Sequence, residues 1–144
     1  MLDFKIRFIK EKPSLEDYNE LFENIYDEKI DENILKEAFN NTLEFVSVYK
    51  DNELIGFSRI IGDKTMFLYL HDIMVKKEFQ GNGIGGKIVE YTLDIIREYK
   101  KINPDLRVYL GASKNKEAFY EKYGFLRRPN ELVGAGMILR QDFK

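Results

Sequence analysis

A glycine-rich turn lies near the middle of the chain, between an apolar run and a helical pattern. Residues 80–85 read QGNGIG, after the apolar run 67–75 and before apolar residues spaced three or four positions apart. A helix beginning here would present the unpaired N–H groups of its first turn, where the helix dipole adds about half a positive charge. Glycines would let a ligand approach the backbone and would permit positive φ angles. The spacing predicts a binding site for a phosphorylated ligand.

The glycine-rich turn has two other interpretations. It could be a purely structural connection, although several glycines cost conformational entropy that a shorter loop would avoid. Gly81, Gly83 and Gly86 also satisfy the G-x-G-x-x-G pattern of dinucleotide-binding folds. That fold needs an acidic residue at the end of the next strand, whereas the apolar run 106–110 is followed by Gly-Ala-Ser at 111–113. The dinucleotide interpretation is therefore disfavoured.

Three segments of the sequence, taken together with the distances between them, resemble a known family. They are DIMV at 72–75, Q-x-x-G-x-G at 80–85 and N-x-x-A-F-Y-x-x-x-G-F at 115–125. The combination resembles the GCN5-related N-acetyltransferase (GNAT) superfamily over roughly residues 43 to 139. The resemblance implies a single α/β (α+β) domain over residues 1–144, with a mixed, mostly antiparallel sheet of about six or seven strands flanked by about four helices.

The same resemblance implies that acetyl-CoA is the co-substrate and that no metal takes part. Its pantetheine arm would run beside Ile73 and Val75, where two strands splay apart and leave backbone groups to be satisfied. The N–H of Ile73 would face the acetyl carbonyl as the oxyanion donor, which does not prevent its side chain from lying in the core. The residues implied to bind the cofactor are Ile73, Met74, Val75, Gln80, Gly81, Asn82, Gly83, Ile84, Gly85, Gly86, Asn115 and Tyr120.

Two side chains are candidates for proton transfer. Tyr120 occupies the tyrosine position of the family segment, and a phenol with a pKa of about 10 is a suitable acid for a leaving thiolate. Without the motif it would be interpreted as a core residue beside Phe119 and Tyr123. Asn115 would contact the pantetheine or cap the following helix, and the sequence does not separate these roles.

His71 is the candidate base, because family members often place a glutamate or histidine at the position of Tyr69 or His71 and no glutamate is present at either. The ordinary pKa of histidine lies near neutral pH. Strand alternation predicts that Tyr69, His71, Ile73 and Val75 share one face and that Asp72 points to the other, in a structural role. A lone strand histidine can equally be a core or rim residue.

These roles predict direct transfer of an acetyl group to the primary amine of a small molecule. The acceptor would enter beside Tyr18, Phe22, Tyr26, Tyr69 and residues 127–131, although aromatics at helical spacing are also typical of a core. Two alternatives remain open, namely a protein acetyltransferase acting on lysine or an N-terminal amine, and a non-catalytic acyl-CoA-binding module. A homodimer through the C-terminal strands is plausible by analogy.

Composition limits the function classes. The 144 residues include no cysteine and one histidine, which excludes a thiolate nucleophile and makes a zinc centre implausible. A net charge of −2 argues against a general nucleic-acid binder, although single lysines such as Lys76, Lys77, Lys87, Lys114 and Lys116 could steer a phosphate. No apolar run approaches about 18 residues and no signal peptide is evident, so no membrane association and a cytoplasmic location are expected.

Local signals predict the elements that must position these residues. A strand is expected over 4–9, a helix capped by Ser14 with Asp17 three residues later, and a helix capped by Asp31. A hairpin would join strands 43–49 and 53–61, followed by a strand over 65–75. The helix after the glycines would end before Asn103-Pro104, and a strand over 106–111 and a helix over about 116–123 would follow. Two final strands complete the predicted order.

Overall fold

The computed structural model describes residues 5–144, so Phe4, which the predicted first strand includes, lies outside the described part. The chain divides at Leu110/Gly111 into two compact units. The first contains strands β1 (Ile6–Ile9), β2 (Glu44–Lys50), β3 (Glu53–Gly62), β4 (Phe67–Val75) and β5 (Arg107–Leu110), and helices α1 (Leu15–Tyr26), α2 (Glu32–Asn40) and α3 (Ile84–Lys100). The second contains helix α4 (Glu117–Glu121).

One mixed sheet forms the centre of the first unit. Its strand order is β1-β2-β3-β4-β5, with antiparallel pairs from β1 to β4 and a parallel pair between β4 and β5. The β4–β5 pair is parallel because α3 carries the chain back across the sheet between the two strands. The predicted α+β class and the mixed, mostly antiparallel sheet are confirmed.

Side chains at the predicted positions cap the first two helices. Ser14 Oγ accepts a hydrogen bond from the Asp17 N–H at 3.0 Å. Asp31 Oδ1 accepts from the N–H groups of Asn33 and Ile34. Both caps satisfy donors that a helix start otherwise leaves unpaired, which fixes where α1 and α2 begin.

The sheet is covered on both faces. On one face, α1 and α2 bury a cluster that consists of Tyr18, Leu21, Leu35, Phe39, Leu54, Phe57 and Met74. On the other, Gly56 faces α3, since a Cβ on Gly56 would lie 3.0 Å from the Ile88 side chain. Helix α3 buries Ile84, Ile88, Val89, Ile95 and Ile96. Strands β3 and β4 therefore lie between two helical layers.

The prediction of about six or seven strands is wrong for the described residues, which form a sheet of five. Residues 125–144 contain neither helix nor strand, so the two expected final strands are missing. Their apolar side chains, including Leu132, Met137 and Ile138, are largely exposed. A strand requires a paired neighbour and a buried face, and this segment has neither. The proposed dimer through C-terminal strands stays a prediction without that support.

No helix within residues 5–144 is long and apolar enough to cross a membrane. Those residues also contain no group of three or more potential metal-binding side chains.

Candidate functional site

Strand β4 is irregular at Asp72. The β3–β4 register pairs Arg59 with His71 and Phe57 with Met74, so one residue of β3 stands opposite two of β4. Asp72 has a φ of 56°, in the left-handed region. This two-against-one arrangement is a β-bulge, and bulges redirect the side chains around them.

The bulge corrects the predicted alternation. Paired residues lie on the same face of a sheet, and Phe57 and Arg59 share a face, so His71 and Met74 share it too. Tyr69, His71, Ile73 and Val75 therefore do not form one continuous row. Asp72 also does not point away, because its carboxylate bonds to Arg59 and His71.

The Asp72 carboxylate is the centre of a polar network on the α1 side of the sheet. Its Oδ2 accepts hydrogen bonds from the Tyr18 hydroxyl at 2.9 Å and from Arg59 Nε at 3.0 Å. Its Oδ1 lies 2.8 Å from His71 Nδ1. The Arg59 guanidinium also donates to Thr42 Oγ1 at 3.2 Å, just after α2. The network joins α1, β3, β4 and the end of α2.

These contacts determine the ionisation of the network. Burial raises the pKa of the Asp72 carboxyl, but hydrogen bonds and charges from His71 and Arg59 outweigh it and lower the pKa to about 2. Burial and the Asp72 charge raise the pKa of Tyr18 far above its ordinary value. Asp72 is therefore an anion, and Tyr18 a neutral donor, at any ordinary pH.

The glycine turn adopts the predicted conformation. Gly81 and Gly83 have φ angles of 81° and 82°, and a Cβ at either would meet no atom within 4 Å. Gly83 is the N-cap of α3, which has neither a side-chain cap nor an acidic residue in its first turn. The helix start is thus open to an anion without steric or electrostatic hindrance.

Polar side chains of the same turn tie it to the sheet. Gln80 Nε2 donates to the Val75 carbonyl at 2.8 Å, which fixes the loop to the end of β4. Asn82 Nδ2 donates to the carbonyls of Phe79 and Gln80. Both residues stabilise the turn, and Gly85 and Gly86 continue α3 from Ile84.

Strand β4 extends beyond its pairing with β5. The parallel register ends at Leu70–Leu110, whereas β4 continues to Val75. Residues 71–75, which include Ile73 and Met74, thus have no β5 residue opposite them. This is the open strand edge on which the pantetheine prediction depends.

Asn115 and Tyr120 lie in the second unit, and their proposed roles stay predictions. Helix α4 has Lys116 as its N-cap with no side-chain cap, so Asn115 does not cap it. Asn115 has a φ of 69°. Tyr120 is half-buried and packs edge-on against Phe119 and Phe125.

The aromatic residues expected around the acceptor have different environments. Tyr18 is 3% exposed and belongs to the core cluster, so it does not line an open wall. Phe22 is half-buried, and Tyr26 is exposed with its ring tilted against Phe22. Tyr69 is half-buried, with its ring 6.1 Å from that of His71.

Among the lysines expected near a phosphate, Lys76 is engaged elsewhere, in ion pairs with Glu53 and Glu78. Lys87, in the second turn of α3, is exposed.

Sequence reasoning did not predict the role of Arg59 as a partner of Asp72. An aspartate within an apolar strand was the available signal, because aspartate is depleted in strands and needs a partner when buried there.

Sequence comparison identifies the family. A family model described as "Acetyltransferase (GNAT) domain" matches residues 10–140. The chain belongs to the GNAT acetyltransferase family. An uncharacterized ycf52-like N-acetyltransferase of Prochlorococcus marinus is 30% identical over 99 residues, covering 66% of this chain and 53% of the relative. Protein ElaA of Escherichia coli is 28% identical over 80 residues, covering 54% and 50%. The chain spans about half the length of the curated relatives it matches.

Solved structures described as probable or predicted acetyltransferases share the fold. A probable acetyltransferase of unknown function from meticillin-resistant Staphylococcus aureus has a TM-score of 0.81 and 28% identity, with 94% of this chain and 99% of that one covered. A predicted acetyltransferase from Clostridium acetobutylicum, crystallised with acetyl-CoA, has a TM-score of 0.64 and 20% identity, with 90% and 95% covered. The second likeness concerns the fold alone.

Proposed function

We propose that this GNAT protein is an acetyl-CoA-dependent N-acetyltransferase that acts on the primary amine of a small molecule. The observation that carries the proposal is the open N-terminus of α3, entered through two left-handed glycines and fixed to the end of β4 by Gln80. The related fold crystallised with acetyl-CoA supports the choice of co-substrate.

The residues present fit this co-substrate. The diphosphate would bind the N–H groups at 81–86, where a side chain on Gly81 or Gly83 would occupy the open space. The pantetheine amides would bind the edge of β4 at Ile73, Met74 and Val75 that faces away from β3 and that β5 does not reach. When bound, acetyl-CoA supplies a thioester carbonyl, and we assign the Ile73 N–H as the donor to its developing oxyanion.

Two side chains of the protein would carry out the proton transfers. His71 accepts one from the incoming ammonium, which makes the amine nucleophilic. Tyr120 donates one to the departing thiolate, and Asn115 contacts the pantetheine. Transfer is direct, because the chain has no cysteine to carry an acetyl group.

Calorimetric titration with acetyl-CoA tests cofactor binding, and a free-thiol assay with the same preparation tests turnover. The acceptor panel contains polyamines, aromatic amines, amino sugars and amino acids, with lysine peptides as a separate arm. Binding with thiol release for one small amine supports the proposal. Release only with peptides would indicate a protein acetyltransferase, and binding with no release from any acceptor would favour a non-catalytic acyl-CoA-binding module. Absence of binding would overturn the assignment.

A further inference from the structure

The close contact between His71 and Asp72 is unusual because the two residues are consecutive in a strand. In regular β-structure, neighbouring side chains point to opposite faces and cannot meet. The left-handed φ of 56° at Asp72 removes this restriction, and the carboxylate reaches the face that His71 shares with Arg59. The resulting distance between Asp72 Oδ1 and His71 Nδ1 is 2.8 Å.

The other side chains that contact the Asp72 carboxylate occupy only one of its two oxygen atoms. Tyr18 and Arg59 both donate to Oδ2, so Oδ1 remains for the imidazole. The Asp72 side chain is only 13% exposed, whereas that of His71 is 50% exposed. A buried anion with one oxygen anchored by two donors therefore holds an imidazole at the protein surface.

The chemistry of the pair determines which nitrogen carries the proton. The carboxylate places negative charge 2.8 Å from Nδ1, so in neutral His71 a proton on that nitrogen is favoured and a lone pair there is disfavoured. Nε2 is then a free lone pair, and within residues 5–144 it has no hydrogen-bond partner. This is the tautomer that a general base requires.

We propose that Asp72 is a positioning residue, which fixes His71 as the Nδ1–H tautomer and so leaves Nε2 to take the proton of the acceptor amine. This proposal rests on the acetyltransferase function proposed above. One proton moves from the ammonium to Nε2 and gives an imidazolium. The amine lone pair then forms the C–N bond, the C–S bond breaks, and its electron pair leaves with the sulfur. The nitrogen gives its second proton to solvent as the amide forms, and the sulfur takes up a proton from Tyr120, which solvent replaces.

The chain has one histidine, so a nitrogen-edited NMR spectrum of the untagged protein reports on His71 alone. In the protein without cofactor, at a pH where the imidazole is neutral, we expect the Nδ1–H form to predominate. Asp72→Asn keeps the shape and tolerates the left-handed backbone, but its amide can donate to Nδ1 and favour the Nε2–H form. A parent protein with the Nε2–H form would overturn the proposal without any variant.

Kinetics then separate positioning from folding. We expect His71→Gln to lower kcat roughly a hundredfold. Asp72→Asn should lower kcat by at least about tenfold and approach that loss, while its KM for acetyl-CoA stays within about twofold of the parent value. The matched control is Ser47→Ala, which removes a buried hydrogen bond to the Glu11 carbonyl outside the Asp72 network. It should lower Tm but keep the parent tautomer and kcat.

The outcomes are distinguishable. An Asp72→Asn protein with the parent tautomer and kcat would overturn the positioning role, as would an equal loss of kcat in Ser47→Ala. If the parent releases no thiol with any acceptor, the proposed function fails. The imidazole spectra of the parent and Asp72→Asn would still show whether Asp72 fixes the tautomer.

Discussion

At the residue scale, Asp72 shows how a local irregularity can organise a site. Its left-handed backbone brings its carboxylate to the face of His71 and Arg59, and Tyr18 reaches it from α1. Because the carboxylate is mostly buried and fully paired, its charge is coupled to stability. Removing its charge should therefore affect folding and the site together.

The pH dependence of folding tests this coupling. The pKa of Asp72 is lowered from 3.8 to about 2, so its stabilisation is present above about pH 4 and is lost as the pH falls through 2. Nearly two pKa units correspond to about 2 kcal/mol. In urea unfolding, the difference in free energy of unfolding between the parent and Asp72→Asn should shrink by about that amount from neutral pH to about pH 2. A constant difference would contradict this account.

A second residue-scale prediction concerns two buried serines. Ser47 Oγ donates to the Glu11 carbonyl at 2.6 Å, whereas Ser58 Oγ, opposite the bulge, has no partner among the described residues. Ser47→Ala should cost about 1 kcal/mol, while Ser58→Ala should be neutral or stabilising by up to about 1 kcal/mol, because a buried unpaired hydroxyl is destabilising. Urea unfolding of the two variants measures both effects. Equal destabilisation would show that Ser58 has a partner in solution.

At the element scale, the start of α3 combines an open helix terminus with a backbone that only glycine adopts easily. Gln80 fixes the loop to β4, so the helix start is held at the end of the strand whose edge is unpaired. The proposed binding of both the diphosphate and the pantetheine depends on this connection between two elements.

Gly83→Ala tests the helix start. A Cβ there would stand in the open space proposed for the diphosphate, and the left-handed φ of 82° adds strain of about 1–2 kcal/mol. We expect acetyl-CoA affinity to fall at least about tenfold in calorimetry, which corresponds to about 1.4 kcal/mol. Gly124→Ala is the matched control, with a φ of 94° and equally open space, and should lose stability but keep affinity. Equal affinities for both variants would remove the diphosphate assignment.

At the scale of the whole molecule, the candidate residues are divided between the two units. The first unit contains His71, Ile73 and the glycine turn, and the second contains Asn115 and Tyr120. This division makes the contribution of Tyr120 separately testable.

Tyr120→Phe should lower kcat about a hundredfold while acetyl-CoA affinity is retained, because the ring remains and only the proton donor is lost. Tyr123→Phe is the matched control, since Tyr123 is also half-buried and packs against Phe119. It should leave kcat near the parent value in the thiol assay. If both variants lose similar activity and the loss follows the decrease in Tm, Tyr120 is a packing residue.

The sequence by itself determined the features that are encoded within a few residues. The caps at Ser14 and Asp31, the β2–β3 hairpin and the left-handed glycines before α3 all agree with prediction. Caps and glycine conformations depend on atoms at most four residues apart, so composition and spacing are sufficient to predict them. The family pattern also rests on such local segments.

Only the tertiary structure decided the environment of His71. An aspartate within an apolar strand indicates that a partner is needed but not which one, and the partners are Tyr18, 54 residues away, and Arg59 across the sheet. Contacts between distant segments also determine the number of strands. The predicted order ends in two strands, but strands form only where a neighbour pairs their backbone and a layer covers their side chains, and the apolar side chains after Phe125 are largely exposed. Such contacts arise from chain topology, which local periodicity does not contain.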